Sequence, residues 1–367
     1  MLILVVIFLS HFLIGQFLEI SKSKVFSYFF GLLLLAVVFY FSLGVTENSD
    51  NFMFKYFYEN DWEKIDPMFI LLMKVMNAYH FDYYAFYQVH LIIYTLSYYF
   101  FISRYTKNVF YVFLVFFVLY YVPYVNQIRY YLAFPFFLLS IHYFIQKRNL
   151  VLFVIFTALA FTSHSAILIL YGFIPMYYFI SSKSFFKYLF IFSGVLFMVV
   201  FALFQMGIVQ EIEHFGEYFD KGMTSSVAGG IFNAIPYMIY IFYLWIIDKN
   251  YRKKNPDFAQ DKTYSFLSKF TFFSIIFIPA AFFVQILGNR YVFPFLIVWL
   301  IFYLYTIREE PAKRKFFSLF IAGLIHLFVG TLIYVIPHFI FGESFYEEEL
   351  IKAMHSIKYI DFIYLLR

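Results

Sequence analysis

Two arginines stand where very short connections are predicted between apolar helices. Arg129 follows Asn126 and Gln127 at the start of one apolar run. Arg290 follows Asn289 at the start of another. A helix N-terminus attracts anions through its unpaired N–H groups and dipole, and a guanidinium adds a fork that fits phosphate oxygens. These residues predict a site that clamps a diphosphate, whereas the simpler alternative is that each arginine reaches out to lipid headgroups.

A histidine supplies a candidate base on the same side of the membrane. His164 lies in the polar stretch 162–165, which interrupts an otherwise apolar segment. An imidazole can take a proton from a sugar hydroxyl near neutral pH. The alternative is a histidine that forms hydrogen bonds within a helix bundle. The histidines of the chain show no metal-binding spacing.

The acidic and aromatic segment from about 45 to 80 adds further candidates. Asp50 precedes a Tyr/Phe-rich run, and Asp66 precedes a proline that opens a predicted helix. A carboxylate there can act as a base or bind a divalent cation, although no ligand spacing demands a metal. Tyr56 and Trp62 offer aromatic faces to sugar rings, but such residues also form the aromatic belt of membrane proteins. A solvated acidic loop is the alternative for either aspartate.

Composition decides the class of protein that carries these residues. The chain has 367 residues, 63% of them hydrophobic and 13% charged, and its mean hydropathy is +0.78. These values exclude a soluble enzyme, a disordered chain and a secreted disulfide scaffold. The sequence has no cysteine, so it has no disulfide, thiol nucleophile or Cys-ligated zinc. It shows neither a concentrated basic face for nucleic acid nor a nucleotide-binding glycine motif.

The apolar runs predict an all-α polytopic membrane protein with about twelve transmembrane helices in a single bundle over 1–340. Two of the runs are short enough to be broken or re-entrant, namely 150–162 and 166–180. The predicted spans lie near 1–20, 25–44, 81–103, 109–125, 130–146, 150–162, 166–180, 185–206, 229–247, 263–285, 290–307 and 316–340.

Charges in the connections predict the orientation. Alternate connections are basic, and by the positive-inside rule they face the cytoplasm. The acidic loops at about 45–80 and 207–228 then lie outside, together with both termini. Residues 341–367 carry apolar side chains at roughly helical spacing and predict an amphipathic helix on the outer surface. The basic connections contain Lys22 and Lys24, Arg104 and Lys107, Lys147 and Arg148, Lys183 and Lys187, and the stretches 248–262 and 308–315.

Several of these motifs together resemble the EpsG-like family of bacterial exopolysaccharide and capsule proteins, related in role to Wzy-type polysaccharide polymerases. The family pattern is Asn-x-x-Arg-x-x-x-Ala, then a basic cytoplasmic turn, then a histidine among small residues one helix later. Gln127 and the C-terminal tail have no counterpart in this pattern. The matching residues are Asn126, Arg129, Ala133, Lys147, Arg148, His164, Asp50, Asp66 with Pro67, and Arg290 with Tyr291.

The resemblance implies a glycosyltransferase of GT-C-like architecture in the bacterial cytoplasmic membrane, with its active site outside. Such an enzyme would join undecaprenyl-diphosphate-linked oligosaccharide repeat units in exopolysaccharide, capsule or O-antigen biosynthesis. Arg129 and Arg290 would stabilise the departing diphosphate, and His164 or Asp50 would deprotonate the acceptor hydroxyl. The implied partners are the lipid-linked oligosaccharides, the bilayer, and flippase and chain-length regulator proteins. No organic cofactor is implied, and dependence on a divalent cation stays open.

Two other functions fit a polytopic membrane protein with intramembrane cations. A flippase for lipid-linked oligosaccharides should place charged residues through the depth of the bundle. The notable charges here cluster at the predicted outer face, which favours the polymerase. A membrane acyltransferase would take its acyl donor from the cytoplasm, whereas the candidate histidine and arginines face the opposite side.

Overall fold

A computed structural model of the chain describes residue 6 and residues 9–21, 23–62, 65–206, 225–341 and 345–357. Every regular element in these ranges is helical. The chain forms two compact units: the first unit comprises residues 1–169 and 311–367, and the second comprises residues 170–310. The single bundle predicted over 1–340 stays a prediction, and most of the predicted outer loop 207–228 lies outside the described residues.

The first unit contains most of the predicted site residues. Its π-helical turns are Ser10–Gly15 and His142–Gln146, and a 3₁₀ helix, Ser165–Gly172, runs along the chain into the second unit. Its α-helices are Gln16–Ser21, Lys24–Leu43, Asn51–Glu59, Pro67–Ala78, Tyr83–Ser103, Val109–Leu119, Tyr121–Asn126, Ile128–Ile141, Leu150–Ser163, Ala312–Tyr334, Ile336–Phe341 and Phe345–His355.

The second unit contains both long and short α-helices, together with two 3₁₀ turns among the described residues. The 3₁₀ turns are Ser274–Phe277 and Phe293–Phe295. The α-helices among the described residues are Phe173–Phe179, Phe185–Gln205, Val227–Lys254, Lys262–Phe273, Ile278–Phe283, Gln285–Tyr291 and Leu296–Ile307.

Eight helical segments among the described residues are long and apolar enough to cross a membrane, so the chain is a multi-pass membrane protein. The predicted count of twelve spans is not confirmed. The runs predicted at 109–125, 150–162 and 166–180 form shorter helices. Val109–Leu119 has 11 residues and rises about 16 Å, roughly half the hydrocarbon thickness. The eight segments are Lys24–Leu43, Tyr83–Ser103, Ile128–Gln146, Phe185–Leu203, Val227–Lys254, Lys262–Phe283, Gln285–Ile307 and Ala312–Tyr334.

Residues of the connections that the charge pattern assigns to the cytoplasm make contacts within each unit. In the first unit, Arg104 Nη2 donates to the hydroxyl of Tyr143 at 3.1 Å. In the second unit, Lys254 forms an ion pair with Glu310. The second pair joins two predicted cytoplasmic connections, whereas Tyr143 lies near the end of the predicted span 130–146. The orientation of the chain stays a prediction.

The orientation can be tested with single cysteines because the natural sequence has none. We expect a membrane-impermeant maleimide to label Tyr79→Cys in intact spheroplasts, because this exposed residue follows a predicted outer helix. Asp257→Cys, in a predicted cytoplasmic connection, should be labelled only after permeabilisation. The reverse pattern of labelling would show that the assigned orientation is inverted.

Candidate functional site

Three of the predicted site residues meet in the first unit. Arg129 Nη1 donates a hydrogen bond to Asp66 Oδ2 at 2.6 Å. The other carboxylate oxygen, Oδ1, lies 3.6 Å from His164 Nδ1. Oδ1 also accepts a hydrogen bond from the backbone N–H of Ser165 at 3.4 Å. We call Asp66, Arg129 and His164 the Asp66 cluster. Its members come from three separate segments, so the cluster exists only in the folded chain.

Asp66 owes its position to the start of the helix Pro67–Ala78. Proline is favoured at the first helical position because its missing N–H would have no partner there. An aspartate at the preceding position usually caps its own helix with its carboxylate. The carboxylate of Asp66 makes no such capping bond. It is directed instead to Arg129 and His164.

His164 occupies the point where the helix Leu150–Ser163 stops. Its backbone is extended, with φ −163° and ψ 113°, although its N–H still bonds to the carbonyl of Ala160. The imidazole meets the ring of Tyr130 edge to face, with centroids 5.6 Å apart. Tyr130 is the residue after Arg129, so one helix start supplies contacts to both the carboxylate and the imidazole. The predicted interruption at 162–165 is therefore the break that presents His164.

Arg129 lies in the first turn of the helix Ile128–Ile141, after a break at Gln127. A helix end leaves backbone carbonyls without intrahelical partners, and an apolar environment requires that they be satisfied. Side chains from neighbouring segments provide these partners. They are Tyr94, whose hydroxyl donates to the carbonyl of Tyr124 at 2.5 Å, and Tyr87 and Asn48, which donate to the carbonyl of Val125 at 2.9 and 3.2 Å.

The guanidinium of Arg129 retains hydrogen-bonding capacity for a ligand. Its side chain is 24% exposed, against 10% for Asp66. Nη1 is bound to Asp66, whereas Nε and Nη2 have no hydrogen-bond partner among the described residues. The ring of Phe54 lies 5.3 Å from the guanidinium carbon. A positive group with remaining donors at the start of a helix is suited to phosphate oxygens.

The electrostatics of the cluster keep Asp66 ionised. Burial raises the pKa of its carboxyl, but contact with His164 and the positive charge of Arg129 outweigh burial, so the pKa lies below its usual value. A carboxylate beside Nδ1 favours the tautomer that carries its proton on Nδ1 and orients the ring. The cluster therefore pairs an oriented imidazole with a guanidinium through one carboxylate.

The other predicted residues of the first loop lie around the helix Asn51–Glu59. Asp50 precedes this helix, and its backbone N–H donates to Asn48 Oδ1 at 3.1 Å. The side chains of Tyr56 and Trp62 are 50% and 39% exposed, and their ring centroids are 6.5 Å apart. These two rings form an exposed aromatic surface. Such a surface is required both for stacking on sugar rings and for an aromatic belt at the membrane interface.

Asn126 and Gln127 lie at the helix break itself. Asn126 is 5% exposed, and its Nδ2 donates to Ser49 Oγ at 2.8 Å. Its Oδ1 and the Oε1 of Gln127 are buried and have no hydrogen-bond partner among the described residues. The buried atoms of these two residues that lack a partner are therefore both acceptors.

The structure corrects the predicted place of Arg290. This residue does not open a helix but lies in the last turn of Gln285–Tyr291, next to the buried Asn289. The following helix begins only at Leu296, after a 3₁₀ turn that contains Pro294. Proline favours the start of a helix, and in this chain it moves the start beyond the arginine. The role of Arg290 and Asn289 in binding a diphosphate stays a prediction.

A buried polar cluster in the second unit had no counterpart in the sequence analysis. Arg252 Nε lies 2.7 Å from Asp248 Oδ2, and Tyr264 and Ser268 donate hydrogen bonds to the same carboxylate. Arg252 also donates to the carbonyl of Ser182 at 2.9 Å. Buried polar groups that supply one another's hydrogen bonds in this way are expected of a network that holds helices together.

The low pKa of Asp66 predicts how its contribution to stability depends on pH. The pKa of the Asp66 carboxyl is lower in the folded chain than in the unfolded chain, where it is about 3.9. Ionisation of Asp66 therefore adds to the free energy of unfolding above the unfolded-state pKa, and this contribution is lost as the pH falls through the folded-state pKa. We expect Asp66→Asn to cost about 1–3 kcal/mol at pH 7. The difference in melting temperature between wild type and Asp66→Asn should shrink below about pH 4.

The exposed pair of Lys55 and Glu59 supplies the control for this experiment. Its side chains are 46% and 57% exposed, so Glu59→Gln should change the melting temperature little at any pH. A difference for Asp66→Asn that stays constant from pH 7 to pH 3 would contradict the assignment of an ionised Asp66.

Comparison with known proteins agrees with the motifs around this cluster. No curated protein and no solved structure matches the chain. The family model described as the EpsG family matches residues 24–347, which include every member of the Asp66 cluster as well as Asn289 and Arg290. This match covers most of the 367 residues, and the chain therefore belongs to the EpsG family.

Proposed function

We propose that this protein is a polysaccharide polymerase that joins undecaprenyl-diphosphate-linked oligosaccharide repeat units at the outer face of the bacterial cytoplasmic membrane. It would be a glycosyltransferase of GT-C-like architecture in exopolysaccharide or capsule biosynthesis. Membership of the EpsG family supports a role related to exopolysaccharide. The observation that carries the proposal is the Asp66 cluster, which joins a cation for phosphate to an oriented base.

The leaving group sets the first requirement of this reaction. An acceptor hydroxyl attacks the anomeric carbon of the donor glycan, and the bond from that carbon to the diphosphate oxygen breaks. The electron pair of the broken bond leaves with the undecaprenyl diphosphate, whose negative charge increases. Nε and Nη2 of Arg129 would bind this developing charge while Nη1 stays on Asp66. A preorganised cation of this kind stabilises the transition state more than the ground state.

The acceptor hydroxyl sets the second requirement, because its proton must leave as the new bond forms. His164 would take this proton on Nε2, with Nδ1 held toward Asp66. Asp66 acts as a positioning residue in this scheme, because it contacts the base and the cation but not the reacting atoms. Asp50 stays the alternative base, at the start of the helix Asn51–Glu59.

The remaining predicted residues have supporting roles in the proposal. Tyr56 and Trp62 would stack on sugar rings, and binding of a diphosphate by Arg290 and Asn289 stays a prediction. The reaction requires no organic cofactor, and its dependence on a divalent cation is left to experiment. Flippase and chain-length regulator proteins are the proposed cellular partners, because they would supply the substrate and set the product length.

The polymerase function predicts a defined change in the surface glycan. In cells that make only Arg129→Ala or His164→Ala, we expect long-chain glycan to fall at least about 100-fold, with single repeat units still displayed outside. Gel electrophoresis of the glycan and surface labelling would measure both quantities, and immunoblotting would verify equal protein abundance. Arg104→Ala is the matched control, because this arginine lies in a predicted cytoplasmic connection.

Two results would contradict the proposal. Normal chain length in both Arg129→Ala and His164→Ala cells, at normal abundance, would remove the Asp66 cluster from the mechanism. Lipid-linked repeat units trapped inside cells that lack the protein would indicate a flippase.

A further inference from the structure

The carboxamide of Asn126 has an orientation that its neighbours determine. Nδ2 donates to Ser49 Oγ at 2.8 Å and to Glu349 Oε2 at 3.4 Å. Glu349 Oε2 also accepts the backbone N–H of Ser49 at 2.9 Å. A carboxylate can only accept hydrogen bonds, so the atom of Asn126 that faces it must be the NH₂ group. The carbonyl oxygen, Oδ1, therefore points away from Glu349.

This carbonyl oxygen is a buried acceptor without a donor. It has no hydrogen-bond partner among the described residues, and Asn126 is 5% exposed. More than about 90% of buried polar groups in proteins are paired, so a fixed acceptor without a donor calls for a ligand or water. Phosphate oxygens are themselves acceptors and would be repelled. A hydroxyl group is the complementary partner.

Two links connect Asn126 to the part of the site that suits a diphosphate. Asn126 contacts Ser49, and the ring of Phe54, five residues further along the same stretch, packs against the guanidinium of Arg129. Asn126 and Arg129 also flank the same helix break at Gln127. A lipid-linked glycan carries its first sugar directly on the diphosphate. A ligand that places phosphate at Arg129 would thus bring sugar hydroxyls close to Asn126.

We propose that Asn126 Oδ1 accepts a hydrogen bond from a glycan hydroxyl of the lipid-linked substrate, and that Glu349 is the positioning residue that holds Asn126 in this orientation. This inference rests on the proposed function and assigns Asn126 to the glycan instead of the diphosphate. It makes the C-terminal helix Phe345–His355 part of the substrate site. Glu349 lies two residues beyond the residues that match the EpsG family, 24–347.

The C-terminal helix has a second attachment that holds Glu349 in place. Ser356 Oγ accepts the backbone N–H groups of Thr46 and Glu47 at 3.2 and 3.1 Å. The helix is thereby fixed to the stretch that contains Ser49. Lys352 lies 3.9 Å from the other oxygen of Glu349 and is 47% exposed, so it contributes little to the orientation of Asn126.

The experiment compares two probes on protein in lipid nanodiscs. One probe is undecaprenyl diphosphate, and the other is the lipid-linked repeat unit extracted from a strain that lacks this protein. We expect Glu349→Ala to weaken binding of the repeat unit about fivefold and to leave undecaprenyl diphosphate binding unchanged. Glu349→Gln keeps an acceptor oxygen and should restore most of the affinity. Lys352→Ala is the matched control on the same helix and should bind both probes as wild type does.

Two further variants distinguish failure of this inference from failure of the proposed function. Asn126→Leu removes the acceptor without touching Glu349 and should show the same selective loss, which keeps the test valid if Glu349→Ala does not fold. If Asn126→Leu weakens the binding of both probes equally, or weakens the binding of neither, the inference is overturned. Arg129→Ala should weaken both probes. If it weakens neither, the proposed function itself has failed.

Discussion

The ion pair between Asp66 and Arg129 is the contact on which the rest of the candidate site depends. It joins the start of one helix to the start of another, and its 2.6 Å distance is that of a charge-assisted hydrogen bond. Partial burial makes each charge costly alone, so each residue requires the other. The same carboxylate faces His164 through its second oxygen. One side chain therefore sets the geometry of both the cation and the candidate base.

The helix break at Gln127 accounts for two of the buried tyrosines around it, Tyr87 and Tyr94. An interrupted helix exposes carbonyls that neither lipid nor an apolar core can satisfy. Tyr87 and Tyr94 place hydroxyls on these carbonyls while their rings fill the core. A tyrosine serves both needs because its body is apolar and its tip is polar. The break in turn allows Asn126 and Arg129 to end and begin successive helices.

Local signals in the sequence were sufficient to predict the individual residues of the candidate site, but not the contacts that bring them together. The Asp66–Pro67 step, the interruption around His164 and the helix start at Arg129 each depend on a few neighbouring residues. The contact between Asp66 and Arg129 joins residues 63 positions apart, and that between Ser49 and Glu349 joins residues 300 positions apart. One sequence gives no signal for such pairings.

The spans predicted from hydropathy alone are not confirmed where the backbone departs from a continuous helix. The run at 109–125 is apolar throughout, but helical geometry is lost at Tyr120 and again at Gln127. The predicted place of Arg290 at the start of a helix was wrong, because the helix Gln285–Tyr291 ends there and the next α-helix begins only after Pro294. In the proposed reaction such breaks are an advantage, because they give the Asp66 cluster its cation and its base. Arg129 and His164 face opposite oxygens of one carboxylate, so a change at Asp66 would act on the candidate cation and the candidate base together.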